Sequence, residues 1–176
     1  MGSYLFGREE ALRALREAGC SREVIRHSLA VERISLRLAR RIRANGHKLD
    51  LRLVSLGALL HDIGRARTHG IRHGVEGAKI LRGLGLSKFA RFAERHLGAG
   101  IPTEEARELG LPARDFMPRT LEEKVVTYAD KLAVGHRAIS YEGALEWFKS
   151  DLGAMHPALE RFKILHTETQ KLLEKS

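Results

Sequence analysis

The sequence has little cysteine, proline or aromatic residue, and it has no long apolar run. Its 176 residues include one cysteine and four prolines, and aromatic residues make up 6%. A single cysteine, Cys20, excludes an internal disulfide and favours a reducing, cytoplasmic setting. No stretch approaches the roughly 20 apolar residues of a membrane-spanning helix, and the N-terminus lacks the pattern of a signal peptide. We therefore expect a cytoplasmic protein without a membrane partner.

Positive charge is abundant. Lysine and arginine total 31 against 22 aspartate and glutamate residues, which gives a formal net charge of +9 and a pI of about 10.1. Such a field attracts anions, including nucleotides, phosphorylated metabolites and nucleic acids. A solvated, arginine-rich surface with many ion pairs is the alternative, as in many thermophile proteins. The charge alone does not choose between the two.

Apolar residues recur at helical spacing along most of the chain, and no alternating strand pattern persists. We predict a compact all-α fold of about eight helices, forming one domain over residues 1–176. The main predicted helices cover about 8–18, 21–44, 50–63, 73–83, 87–97, 120–132, 140–152 and 157–174. The less regular segment 98–119 contains one short helix and is the candidate specificity loop, because loops on a rigid scaffold commonly carry recognition.

Capping residues mark the ends of several predicted helices. Ser21, Ser87 and Thr103 stand at predicted N-termini, where their side chains can accept a backbone hydrogen bond, and the third helix is predicted to begin at or near Asp50. The segment 120–123, Thr-Leu-Glu-Glu, has the pattern of a capping box. Gly64 is the predicted terminator of the third helix.

The third predicted helix ends unusually for a core segment. Its apolar run, Leu56 to Leu60, is followed directly by His61 and Asp62. Burying polar groups without partners costs roughly 2–7 kcal/mol each. A divalent metal is one partner that satisfies both side chains, although a His-Asp pair also occurs often by chance.

Two other predicted helices turn a metal-binding group inward. His27 fills a gap in the apolar stripe of the second helix, between Val24 and Val31, and Asp130 lies at the border of an apolar face. Each residue alone has a simpler explanation, a core histidine for His27 and a surface or capping carboxylate for Asp130. Together with His61 and Asp62 they form a nitrogen and oxygen set suited to Mn, Fe, Co, Ni, Zn or Mg. The absence of thiolates from this set argues against a structural zinc site.

These residues resemble the H…HD…D signature of the HD-domain metal-dependent phosphohydrolases. The specific parts are the His-Asp-Ile-Gly motif beginning at His61 and the Ala-Asp-Lys tripeptide around Asp130. The resemblance covers about residues 21–135, followed by predicted C-terminal helices over about 140–174, and it is strongest for the small, stand-alone proteins of archaea and bacteria. It implies an HD-domain fold, a divalent metal centre of one or two ions, and hydrolysis of a phosphate ester or anhydride in a small, nucleotide-like substrate.

The same resemblance implies a second metal site. Many members of the superfamily have two further histidines between the His-Asp pair and the last aspartate, and His73 and His96 stand in the matching order. His27, His61, Asp62 and Asp130 would then hold the first ion, while His73 and His96 hold the second and Asp62 bridges the two. His69, four residues before His73, is an alternative ligand.

Two basic residues are predicted to act beside the metal-binding set. Arg65 resembles the position that contacts substrate phosphate in relatives, and Lys131 can contact either phosphate or a ligand carboxylate. Their alternatives are a surface arginine and an ion pair, respectively. Together with Asp62, they are the predicted catalytic residues.

Two other functions remain compatible with the sequence. Some HD-fold proteins use the same ligand set to hold a di-iron centre and oxidise their substrates. Alternatively, the chain could be a binding or regulatory module with a vestigial metal site, whose arginine-rich second helix contacts nucleic acid. Spectroscopy under air would identify the first, and salt-sensitive binding unaffected by His61→Ala would identify the second.

Overall fold

Helices dominate residues 6–174, the part of the chain that the computed structural model describes. The α-helices are α1 (Arg8–Ala18), α2 (Arg22–Ala44), α3 (Leu51–Leu60), α4 (His73–Gly83), α5 (Ser87–Arg95), α6 (Thr103–Glu108), α7 (Leu121–Lys131), α8 (Tyr141–Leu152) and α9 (Pro157–Leu173). Two 3-10 turns, Ile63–Ala66 and Leu97–Ala99, lie between them. The predicted all-α fold is confirmed.

A small hairpin is the one β element among the described residues, and the sequence pattern did not predict it. Strands β1 (Ala133–Val134) and β2 (Arg137–Ala138) pair antiparallel around a turn that contains Gly135. Two residues per strand are too few to produce a visible alternation of apolar and polar residues. The hairpin matters because it contacts α2 and α7.

Helix α3 lies at the centre of the larger core. Its residues Val54, Leu56, Leu59 and Leu60 are all 2% exposed or less, and α1, α2, α5 and α7 pack around it. Helix α3 is therefore covered on most sides, as expected of a helix with apolar residues on more than one face. A second apolar cluster joins α7 to α8 and α9 through Tyr128, Phe148 and Phe162. None of the helices within residues 6–174 is both long and apolar enough to cross a membrane.

The predicted caps were partly wrong. Ser21 accepts a backbone hydrogen bond at the start of α2, as predicted, and Asp50 does the same at the start of α3. Ser87 and Thr103 are instead the first residues of their helices, after Leu86 and Pro102, and neither preceding residue makes a side-chain cap bond. The physical reason is local, because serine and threonine also fit the first helical turn, and sequence alone does not separate the two positions.

The predicted capping box at 120–123 is half formed. The Thr120 side chain accepts a hydrogen bond from the backbone N–H of Glu123 at 3.3 Å. The Glu123 carboxylate instead accepts hydrogen bonds from the backbone of Arg119 and the guanidinium of Arg95, each at 2.8 Å. Buried Glu123 therefore joins α5 to the start of α7 rather than closing the box.

Gly64 does not terminate α3, which ends four residues earlier at Leu60. The glycine lies in a 3-10 turn, and a Cβ built on it would collide with the backbone oxygen of His73 and lie 2.5 Å from the backbone nitrogen of Gly77. Glycine is therefore required for close approach of two backbones, not for a left-handed helix end. This contact places the start of α4, and with it His73, against the 3-10 turn that follows α3.

Candidate metal centre

Four imidazoles and two carboxylates converge where the ends of several helices meet. They are the six residues predicted as metal ligands: His27, His61, Asp62, His73, His96 and Asp130. Five helices or their ends contribute these residues. Helix α2 carries His27, α3 ends just before His61 and Asp62, and α7 carries Asp130. Helix α4 begins with His73, and α5 ends just before His96.

The first group of atoms lies between α2, α3 and α7. The Nε2 atom of His27 is 2.9 Å from Asp130 Oδ1, and the Nε2 atom of His61 is 3.4 Å from the same oxygen. Both nitrogens also lie 3.8 Å from Asp62 Oδ2. The inward direction predicted for His27 is therefore observed, with its side chain 17% exposed.

The second group lies against the other oxygen of Asp62. His73 Nε2 is 3.1 Å from Asp62 Oδ1, and His96 Nε2 is 3.4 Å from it. The two nitrogens are themselves 3.1 Å apart. Asp62 therefore directs Oδ2 at one pair of histidines and Oδ1 at the other, which is the arrangement expected of a carboxylate between two ions.

Each histidine is oriented by its other ring nitrogen. His27 Nδ1 lies 2.7 Å from the backbone oxygen of Gly135, and His61 Nδ1 lies 2.6 Å from that of Ala58. His73 Nδ1 lies 2.9 Å from the backbone oxygen of Gly70, and His96 Nδ1 lies 2.8 Å from that of Ala93. A carbonyl oxygen can only accept, so we assign the proton to Nδ1. This tautomer leaves the Nε2 lone pair directed at the centre, as in metal-binding histidines whose other N–H is held by an acceptor.

The chemistry of the cluster fits a divalent cation. Among residues 6–174, the buried atoms His61 Nε2 and Asp62 Oδ1 have no hydrogen-bond partner. In the sets His27–His61–Asp130 and His61–Asp62–His96, the candidate ligand atoms lie within 4.8 Å of one another. Buried polar atoms that lack a partner are unfavourable, and a cation would satisfy the lone pairs together.

The electrostatics of the site also suit a cation. Burial alone would raise the pKa of Asp62, but the surrounding imidazoles outweigh it and hold that pKa well below its usual range. Burial opposes ionisation of Asp130 too, and Lys131 and His27 lower its pKa well below the usual range. Burial lowers the pKa of His96 to about 4. At neutral pH the two carboxylates are therefore charged, while His96 is neutral and can act as a ligand.

The two predicted basic residues contact the carboxylates. Arg65 donates from Nε to Asp62 Oδ2 at 2.6 Å, and Lys131 donates from Nζ to Asp130 Oδ2 at the same distance. The ion-pair alternative for Lys131 is therefore what the structure contains. Both side chains also line the cavity above the cluster, so their positive charge faces any ligand there.

A cavity of about 390 Å³ opens over His27, Asp62 and Asp130. Its volume is within the usual range for small-molecule sites, which is about 300–1,000 Å³. Exposed His69 lies on its wall, whereas His73 contacts Asp62 within the cluster.

None of residues 98–119 lines this cavity, contrary to the expectation that they form the specificity loop. That segment instead packs around its own apolar cluster, which includes Ile101 and Phe116.

Sequence reasoning missed two parts of the site. The hairpin carbonyl of Gly135 holds His27, and the exposed indole of Trp147 forms part of the cavity wall. The lone glycine after Val134 was a weak signal for a turn, and the only tryptophan of the chain could have been singled out as an exposed aromatic. Glu94 and Arg95, which precede His96 in the chain, form ion pairs with Arg82 and Arg114 and with Glu123, respectively.

Comparison with known proteins identifies the segment that contains this centre. The family profile described as HD domain matches residues 24–135. An uncharacterized protein of Methanocaldococcus jannaschii, MJ0778, is 49% identical over 167 residues, covering 94% of this chain and 98% of that protein. No solved structure matches the chain significantly.

Two further relatives are longer than this chain. The tRNA (cytidine(56)-2'-O)-methyltransferase of Picrophilus torridus is 38% identical over 170 residues, which cover 96% of this chain and 48% of the enzyme. The enzyme of the same name from Thermoplasma volcanium is 38% identical over 149 residues, covering 84% of this chain and 42% of the enzyme. This chain therefore spans less than half the length of either methyltransferase.

Proposed function

This chain belongs to the HD-domain family, and on that premise we propose that it is a metal-dependent phosphohydrolase. Its substrate is a small, anionic, nucleotide-like molecule, and the bond cleaved is a phosphate ester or anhydride. The observation that carries this proposal is the division of the Asp62 oxygens between two pairs of histidines, His27 with His61 and His73 with His96. Carboxylates shared in this way are suited to paired ions that act on phosphate.

The proposed ligands fall into two sets. His27, His61, Asp62 and Asp130 would hold one divalent ion, and Asp62, His73 and His96 would hold the other. A bound divalent ion would supply Lewis acidity and lower the pKa of a water at this site towards neutrality. His73 rather than His69 is the proposed ligand because its Nε2 lies 3.1 Å from Asp62.

The basic side chains would orient the substrate. Arg65 and Lys131 line the cavity beside the carboxylates, and their ion pairs hold the charged groups in place. Fixed positive charges near a phosphate stabilise the negative charge that develops as a phosphate bond breaks. The net charge of +9 further favours the approach of an anionic substrate.

Metal analysis followed by a nucleotide panel tests this proposal. The purified protein would be assayed for phosphate release under several divalent ions, beside the Asp62→Asn variant. We expect that variant to lose both metal and turnover, whereas Asp151→Asn, an exposed amide substitution on α8, should leave both unchanged. Full turnover in Asp62→Asn would refute the mechanism. Substrate-dependent oxygen uptake with a mixed-valent di-iron signal would instead indicate that the protein is an oxygenase.

A second candidate function is contact with RNA, and the surface of α2 favours it. The helix carries seven arginines, all exposed, and within residues 6–174 none of them forms a salt bridge. Five share one face at helical spacing: Arg22, Arg26, Arg33, Arg37 and Arg40. The names of the two methyltransferase relatives add support, because those enzymes act on tRNA.

Salt-dependent binding to a folded tRNA tests this second function. Binding through phosphates weakens linearly on a log–log scale as salt rises, and each lost phosphate contact reduces the slope by about 0.9 for duplex nucleic acid. Combined alanine substitution of Arg33, Arg37 and Arg40 should reduce the slope. The matched control replaces Arg107, Lys149 and Lys163, which pair with acids on their own helices. An equal loss in both variants would indicate net charge rather than a specific surface.

A further inference from the structure

Trp147 is the one tryptophan of the chain, and it lies on the cavity wall with 49% of its surface exposed. Covering a large aromatic side chain is energetically favourable, so exposed aromatic surface beside a polar site commonly contacts a ligand. Most other large apolar residues exposed to a similar degree, such as Leu84 and Ile164, do not line this cavity. The position of Trp147 is therefore the informative feature.

The indole is held on a fixed support. Its neighbour Phe148 is 5% exposed and packs in the cluster that joins α8 to α9, with its ring centre 5.5 Å from that of Phe162. This packing fixes α8 beside the cavity. A side chain on a packed helix is positioned more reproducibly than one on a loop, so little ordering is needed when a ligand stacks on it.

The cavity lining combines two chemically different groups of side chains. One group consists of the carboxylates Asp62 and Asp130 and the basic side chain of Arg65. The other consists of Val134, Trp147 and Phe148, which contribute apolar wall.

Lys131 lies close to both groups. It donates a hydrogen bond to Asp130 at 2.6 Å, and its ammonium lies 5.8 Å from the centre of the Phe148 ring. The apolar wall is therefore within one side chain of the candidate metal centre. A ligand of modest size can contact both.

We propose that Trp147 stacks against the base of a nucleoside phosphate whose phosphate group lies beside Arg65 and Lys131. Trp147 would thus be the base-recognition residue of the proposed phosphohydrolase. Only the hydrolysis of the nucleotide rests on that proposed function, because binding of the base can be measured separately. A sugar phosphate would contact the charged side chains and leave the indole uncovered. A nucleoside phosphate contacts both the charged and the apolar side chains, and an aromatic platform accepts any base because every base has a π-face.

Fluorescence provides a direct test, because all tryptophan emission of this protein comes from the proposed platform. Adenosine 5'-monophosphate should change the emission saturably in the intact protein. Ribose 5-phosphate at the same concentration should change it little. Equal responses to both would overturn the proposal, since the base would then contribute nothing at the indole.

Kinetics and calorimetry of variants complete the test. Trp147→Ala should raise KM for the nucleotide about ten-fold or more while kcat changes little, and Trp147→Phe should restore most of the affinity. Hydrolysis of ribose 5-phosphate should be unaffected by either change. Leu84→Ala, an exposed apolar truncation outside the cavity, is the control and should leave KM unchanged.

The proposal and the proposed function can fail separately. If no phosphate is released from any nucleotide, calorimetric binding of adenosine 5'-monophosphate to the wild type and Trp147→Ala still decides whether the platform exists. Ten-fold weaker binding by the variant supports it, and equal binding overturns it. If nucleotides are hydrolysed but KM is the same in Trp147→Ala and Leu84→Ala, the reaction stands and the platform is refuted.

Discussion

The Nε2 atoms of His73 and His96 lie 3.1 Å apart, although the Nδ1 atom of each ring already contacts a backbone carbonyl. Two neutral imidazoles in this tautomer direct lone pairs at each other, which is unfavourable unless a proton or a cation lies between them. Asp62 Oδ1 lies 3.1 and 3.4 Å from the same two nitrogens. This geometry is the one expected of a second cation site beside the set that includes His27, and its occupancy by a metal stays a prediction.

The first prediction concerns the number of bound ions. His73→Gln or His96→Gln should remove one of two ions and retain the other, because the atoms near His27 and Asp130 are unchanged. Elemental analysis after dialysis measures the stoichiometry. His69→Gln is the matched control, since this exposed histidine lies on the cavity wall outside the cluster. Loss of an ion from the control, or unchanged stoichiometry in His73→Gln, would contradict the assignment.

The second prediction concerns the hairpin turn. Gly135 has a φ of +56°, and its carbonyl oxygen lies 2.7 Å from His27 Nδ1. A Cβ in the left-handed conformation costs about 1–2 kcal/mol, so Gly135→Ala should shift this turn and release His27. Weakened support for a metal-binding histidine reduces metal affinity by about 10–100-fold, which calorimetry would detect.

Gly85→Ala is the control for this effect. Gly85 has a φ of +72° and, like Gly135, no atom of the described residues within 4 Å of a built Cβ, but it lies after α4 rather than in the hairpin that holds His27. The free energy of unfolding of Gly85→Ala should fall by about as much as that of Gly135→Ala, while its metal affinity remains that of the wild type. Parallel losses of affinity in both variants would indicate a general effect of destabilisation.

The third prediction concerns the contact between the turn after α3 and the start of α4. Gly64→Ala places a methyl group against the backbone of His73 and Gly77. Overpacking of this kind typically costs about 1–3 kcal/mol, and urea unfolding would measure the loss. Gly83→Ala, at the end of α4 with nothing within 4 Å, should be neutral or stabilising by up to about 1 kcal/mol. Similar stability of the two variants would show that the close approach is not required.

The fourth prediction concerns pH. Burial lowers the pKa of His166, which lies 2.6 Å from the Tyr128 hydroxyl and stacks on Tyr141. Because the folded pKa is depressed, the unfolded chain binds the proton more readily, and the stabilisation is present above the unfolded pKa of about 6.5 and lost as pH falls below it. The difference in unfolding free energy between wild type and His166→Gln should therefore shrink from pH 8 to pH 5. A difference that is constant over this range would contradict the assignment.

Much of the fold could be predicted because helical periodicity is local. The inward direction of His27 follows from its spacing to Val24 and Val31, and the bounds of α1 and α2 agree with those predicted. Helix starts were less accurate where serine or threonine was compatible with two neighbouring positions, as at Ser87 and Thr103. The role of Gly64 was misjudged because its constraint comes from α4, nine residues further along the chain.

The six proposed ligands were predicted from their residue types, their helical phase and their resemblance to a family, and the structure brings them together. Their role in binding metal stays a prediction. The division of Asp62 between two histidine pairs could not be derived from spacing, because it depends on where five separate helices meet. The same limit applies to the cavity wall that contains Trp147, because this cavity is lined both by residues of α8 and by residues from the N-terminal half of the chain.

The sequence by itself therefore determined which side chains face inward and which chemistry they offer, since both depend on residue type and on neighbours within a few turns of helix. Only the tertiary structure decided which nitrogen of each histidine is free, which oxygen of Asp62 it meets, and that Trp147 rather than residues 98–119 borders the cavity. These properties depend on the relative positions of helices, and those positions are determined by packing between residues far apart in the chain.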